Sequence, residues 1–150
     1  MTRANARELA LHLIYAREFT GEDPEQIISD RLKKEYYALL AEDNQIYSDR
    51  PSGSQRSYID RVVAGVANRS EELNALIQKY SIGWDISRIS RLSRAVMQLA
   101  IFEMTYLDDV PAGVAINEAV RIAKLYDGPE SGSFVNGILG SYFKSNTNEE

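Results

Sequence analysis

Two carboxylates in this sequence fall where a helix would bury them, and buried carboxylates with shifted pKa values are one route to acid–base catalysis. In VAINEAVRIAKLY (114–126) apolar residues recur at helical spacing, yet Glu118 lies inside the apolar arc with Ile122 and Leu125. Glu103 lies the same way among Val96, Leu99, Ala100 and Met104 of ISRISRLSRAVMQLAIFEMTYL (86–107). A buried carboxylate is costly alone and tolerable beside an arginine and hydrogen-bond donors. Glu118 also stands in the expected first turn of its helix, where the dipole favours negative charge. Both glutamates therefore read as structural ties, with Arg91 or Arg94 as the expected partner of Glu118.

Nothing else assembles a catalytic set. The one histidine, His12, is the i+4 neighbour of Glu8 on a helix, which suits a contact residue better than a base. The chain has no cysteine, no HExxH, no P-loop and no GxGxxG after a strand. No enzyme, cofactor or metal is expected. The lack of thiols suits a reducing cytoplasm. No apolar run approaches the ~20 residues of a membrane span, and MTRANARELA lacks the apolar core of a signal peptide. The expected location is the cytoplasm.

The formal net charge of −5 argues against a general polyanion binder and limits any anion site to a small, specific patch. Two stretches offer one. Arg88, Arg91 and Arg94 recur along one helix, as a solvated face with internal ion pairs or as a docking strip for protein or nucleic acid. The arginine fork matches carboxylates and phosphates alike. In DGPESGSFVNGILGSYF (127–143), Phe134, Val135, Ile138, Leu139, Tyr142 and Phe143 cover one side of a helix, and Ser133, Asn136, Gly137 and Gly140 the other. Free N–H groups near Ser131–Ser133 would accept an anion. Phe134 either staples the helix to the core or offers its ring to a base.

The elements that must position these residues are helical throughout, so the fold class is all-α. A first helix spans about Thr2–Phe19, striped by Ala6, Leu9, Ala10, Leu13 and Ala16 and ended by Gly21. Asp23 and Pro24 open a second, carrying Ile27, Ile28, Leu32, Tyr36, Leu39 and Leu40. EDNQIYSDRPSGS (42–54) reads as an exposed, mobile connection. A third helix holds Tyr58–Val66, and Asn68 with Glu71 forms a capping box for a fourth, ending near Tyr80 before the break at Gly83. The longest helix runs from Asp85 to about Leu107, and Pro111 breaks the chain before the VAINEAV helix. Ser131 caps a last helix reaching Phe143. One domain is expected over 1–145, with sub-bundles of about 1–80 and 84–144 and a disordered tail at 146–150.

Four stretches, in order, carry a family resemblance: ARELALHLIY (6–15), YIDRVVAGV (58–66), SRAVMQLAIFEM (93–104), and VAINEAVRIAKLY followed by SGSFVNGIL. The chain resembles the NusB family of bacterial transcription antitermination factors, and the match spans nearly its whole length. The resemblance implies about seven helices in two antiparallel sub-bundles. It implies a pairing with NusE, a ribosomal protein, and binding of a single-stranded RNA element, boxA, in ribosomal RNA leaders, within an antitermination complex on RNA polymerase. By the same resemblance Arg3 and Arg7 would meet phosphates, His12 and Tyr15 would meet bases, and Ser131 and Phe134 would close the site, Phe134 as the stacking ring. NusE would dock around Ser93, Arg94 and Gln98.

The chain departs from the family pattern at its start, where Arg3 and Arg7 replace a denser arginine cluster, and at Ser93 and Gln98, where an acidic residue and an arginine are common. RNA affinity without the partner is accordingly expected to be weak. Two other readings fit the residues: an RNA-binding domain related to those of ribosomal RNA methyltransferases, for whose catalytic domain a chain ending near residue 150 leaves no room, and a helical protein-interaction module without an RNA role.

Overall fold

The computed structural model describes residues 1–41, 44–85 and 89–148, and their regular structure is entirely helical. The helices are α1 (Arg3–Thr20), α2 (Pro24–Arg31), α3 (Lys34–Leu40), α4 (Gly53–Asn68), α5 (Ser70–Tyr80), α6 (Arg91–Tyr106), α7 (Ala112–Asp127) and α8 (Pro129–Asn148), with a short 3-10 turn at Gln45–Ser48. The chain forms two units, divided between Asn68 and Arg69. Sequence places that division near residue 80, but α5 packs on α6 and α8 and so goes with the second unit.

In the first unit α1 and α2 pack on α4. Leu9, Leu13, Ile27, Ile59, Val62 and Val63 bury their side chains there, each worth about 1.5–3 kcal/mol. The Thr2 hydroxyl caps α1 by accepting from Asn5 N, and Gly21 ends it in the left-handed region at φ 69°. Asp23 and Pro24 open α2 as the sequence predicts, although the Asp23 side chain makes no capping bond.

The predicted second helix is two helices. Lys33 is extended (φ −61°, ψ 138°), and Arg50 donates to the Leu32 carbonyl at 2.9 Å, satisfying an end that continued helix would have satisfied. The break turns Tyr37 inward and leaves Leu39 67% exposed. Tyr37 then organises the following segment: its hydroxyl donates toward the carbonyls of Ile46 and Asp49 at 3.1 and 2.8 Å. Ile46 is buried, and the N-terminal ammonium pairs with Asp49. The predicted mobile connection is therefore tied down at Ile46, Asp49 and Arg50, and α4 begins at Gly53; residues 42 and 43 lie outside the described residues.

In the second unit α6 packs against α5, α7 and α8. Ala95–Glu103 are buried without interruption, as befits a helix apolar almost all round. The helix is shorter than predicted. Ser90 is its N-cap, accepting from Ser93 N at 3.0 Å, and Asp85 and Ile89 are not helical. Arg88 lies outside the described residues.

Three further boundaries move. Asn68 closes α4 rather than capping α5, whose N-cap Arg69 makes no side-chain capping bond. Pro129, not Ser131, starts α8, as suits a residue with no N–H to orphan. That helix also continues to Asn148 through most of the predicted tail, and just before it Tyr80 donates to Ser145 Oγ at 2.9 Å.

Candidate functional site

The junction of α6, α7 and α8 is built around one carboxylate. Gly128, at φ 93°, ends α7 and lets the chain enter α8 directly. The turn holds Asp127 where Ser90, Ser93 and Ser131 all donate to its Oδ2, at 2.6, 2.9 and 2.8 Å. Burial alone would push this carboxyl up; the bonds from Ser90, Ser131 and Ser93 outweigh it and hold Asp127 below the ordinary aspartate value. Ser131 is buried with its hydroxyl committed here. Its predicted contact with RNA cannot use that hydroxyl unless the cluster opens.

Beside the cluster lies a cleft of about 510 Å³, reached by Trp84, Glu130, Ser131 and Phe134. Phe134 is only 8% exposed. Of the two roles the sequence leaves open, its burial favours packing, though the ring still lines the cleft. Trp84 covers it, with ring centroids 5.9 Å apart. Trp84 and Asp127 are the residues the sequence reading does not single out. The signal for Trp84 is slight: one tryptophan in a turn marked by Gly83.

The predicted residues of α1 sit in the first unit. Arg3 and Arg7 converge on Tyr58, their guanidinium carbons 4.3 and 5.8 Å from its ring centroid. Arg3 Nε donates to Gln55 at 2.7 Å. Arg7 is buried, so its expected phosphate contact is not at the surface; partly exposed Arg3 is better placed. His12 faces inward, its Nδ1 2.6 Å from the Tyr47 hydroxyl and its ring stacked on Tyr47. Burial lowers its pKa against the opposing pull of Glu8. This arrangement suits a fold contact rather than a base reader. Tyr15 is half-buried, edge-on to the exposed Phe19.

The expected partner strip on α6 is mostly interior. Ser93 is 0% exposed, held by Asp127, and Gln98 is 3% exposed, donating to Asn74 at 2.7 Å. Arg94 is half-buried and lines a second cavity of about 240 Å³ with Asn74, Ile77 and Gln78. Glu103 is fully buried, as predicted. Glu118 is not: a fifth of its side chain is exposed, and it takes a two-pronged bond from Arg121, three residues on, at 2.9 and 3.2 Å. Because α7 starts at Ala112, Glu118 stands in the second turn, beyond the strongest reach of the helix dipole.

Among the described residues no three acidic or histidine side chains converge as a metal site, and no helix is long and apolar enough to cross a membrane.

The NusB family model matches residues 4–144. Transcription antitermination protein NusB of Acetivibrio thermocellus is 45% identical over 144 residues, covering 96% of this chain and 90% of that protein. Among solved structures, NusB of T. maritima is 30% identical with a TM-score of 0.74, covering 93% of this chain and 89% of that one. A crystal structure of antitermination factors NusB and NusE in complex with dsRNA has a TM-score of 0.73 at 23% identity, covering 95% and 96%, a likeness of fold.

Proposed function

The chain belongs to the NusB family, and from that premise we propose that it is a transcription antitermination factor. It binds boxA-like single-stranded RNA in ribosomal RNA leaders, jointly with the ribosomal protein NusE, in the cytoplasm. The observation that carries this is the near full-length identity of 45% to an antitermination protein, across both helical units. The pairing with NusE and RNA is supported by the shared fold of the NusB–NusE–dsRNA structure.

The geometry supports binding rather than catalysis. Both carboxylates are structural in character, the partly exposed Glu118 in a bridge with Arg121 and the buried Glu103 inside α6. The cleft at the start of α8 joins aromatic rings to polar groups, the combination with which proteins read splayed bases. The net charge of −5 works against binding through the RNA backbone alone and fits a dependence on the partner.

The test is a titration of labelled boxA-like RNA at fixed salt, with and without NusE. Binding should strengthen several-fold with NusE and exceed that of scrambled RNA. Equal, weak binding of both RNAs in the presence of NusE overturns the reading.

A further inference from the structure

Phe134 is the ring that the family resemblance assigns to base stacking, yet it is largely buried. The exposed ring at the same cleft is Trp84, 41% of it in solvent. It lies against α8. A Cβ added at Gly137 would come within 3.1 Å of Trp84 Cζ2, tighter than carbon atoms ordinarily pack, so the indole lies closely over a position without a side chain. Phe134, one turn earlier on α8, meets the indole at an interplanar angle of 58°. The turn holding Trp84 is closed by its own N–H, which donates to the Ser81 carbonyl at 2.9 Å. Gly137 and Phe134 thus form a seat beneath a tryptophan that remains substantially wet.

The surroundings limit what could lie on that ring. Asp85, Asp127 and Glu130 border the cleft, so a phosphate entering it would meet carboxylates. A nucleobase would not be repelled by them: its faces are uncharged, and the amino groups of adenine, cytosine and guanine donate to carboxylates. Glu130 is exposed at this rim.

We propose that Trp84, seated on Gly137 and Phe134, is the base-stacking surface of the RNA site, and that the acidic rim favours bases bearing amino groups while keeping phosphates out. This rests on the RNA-binding reading above and moves the stacking contact from Phe134 to the ring in front of it.

Trp84 is the only tryptophan, so the unaltered protein carries its own fluorescent reporter. The experiment titrates the chain plus NusE with boxA-like RNA, following tryptophan emission alongside the anisotropy of labelled RNA. NusE's own emission is subtracted in a parallel titration. Wild type, Trp84→Phe and Trp84→Ala are compared, with a set of RNAs each carrying one abasic position. RNA should change Trp84 emission. Trp84→Ala should weaken binding about five- to 150-fold, the range that one stacked base supplies, and Trp84→Phe should retain most of the affinity. One abasic position should cost wild type a similar factor and cost Trp84→Ala nothing further.

Folded Trp84→Ala binding like wild type, or the abasic penalty persisting in it, overturns the assignment while leaving the RNA reading intact. If Trp84→Ala does not fold, wild-type emission decides: no change on binding overturns the assignment, and a change abolished by a single abasic position upholds it. Failure of wild type to prefer boxA-like over scrambled RNA removes both.

Discussion

Ser93 donates its hydroxyl to Asp127 at 2.9 Å, and this one bond joins the first turn of α6 to the last residue of α7. Ser90 and Ser131 donate to the same oxygen. Asp127 sits at a helix C-terminus, where the dipole disfavours an anion, and these three donors favour its charged form against that.

Replacing Asp127 by Ala should destabilise the protein by about 0.5–1.5 kcal/mol, the net worth of a hydrogen bond, because the carboxylate is exposed and solvent screens it. Because the folded pKa lies below the ordinary aspartate value of 3.8, Asp127 contributes stability that is present above 3.8. That stability is lost as pH falls through the folded pKa. Urea melts from pH 5 downward should show a shallower acid loss in Asp127→Asn than in wild type. Parallel curves would mean that Asp127 is not the group titrating.

His12 gives the second pH-dependent effect, in a different window. Its folded pKa is lowered from 6.5 by burial, with Glu8 pulling the other way. The unfolded chain therefore binds the proton first. Stability is complete above pH 6.5 and declines as pH falls from there through the folded pKa, by at most about 1.4 kcal/mol per pH unit for one proton. His12→Gln should flatten the urea midpoint between pH 7.5 and 5.5. A midpoint in wild type that is already flat there would refute the effect.

Helix identity was legible because hydrophobic spacing is a one-dimensional signal: the buried run of α6 and the end of α1 at Gly21 follow from adjacent residues. Boundaries set by distant groups were not. The split at Leu32 depends on Arg50, and the late start of α6 accompanies Ser90's tie to Asp127, thirty-seven residues on. The site residues divided similarly. Ser131 and Phe134 do border a cleft, but Ser93, Gln98 and Arg7 are interior, because type and helical face do not reveal what a neighbouring helix covers. Trp84 did not stand out in the sequence, since its contacts with Gly137 and Phe134 come from a helix some fifty residues away.

Phe134 should report on both stability and binding. At 8% exposure its truncation to Ala leaves a core cavity, for which about 3–5 kcal/mol is the usual cost. The same change removes one support of Trp84. Phe134→Leu should recover much of the stability yet leave RNA affinity reduced, with Trp84 emission shifted toward that of a more solvated indole. Thermal melts, emission spectra and RNA titration separate the effects. Full RNA affinity in Phe134→Leu would show that the ring's shape does not matter to the site.

Tyr37 tests whether the segment after α3 is held rather than loose. Burial, reinforced by Asp49 and opposed by Arg50, pushes its pKa up to about 12, so the hydroxyl stays protonated and donates at any working pH. Its acceptors are the Ile46 and Asp49 carbonyls, and its ring meets Tyr47 edge-on at 5.2 Å. Tyr37→Phe keeps the ring and removes the donor, which should cost about 1–3 kcal/mol for acceptors left short of a partner. The loss should be local: amides of residues 44–49 should exchange faster, while those of α4 change little. Since Tyr47 also meets His12, loosening the segment should weaken the pH dependence of stability between 7.5 and 5.5 as well. Unchanged exchange over 44–49 in Tyr37→Phe would show that the segment is held by Ile46 burial and the Met1–Asp49 pair instead.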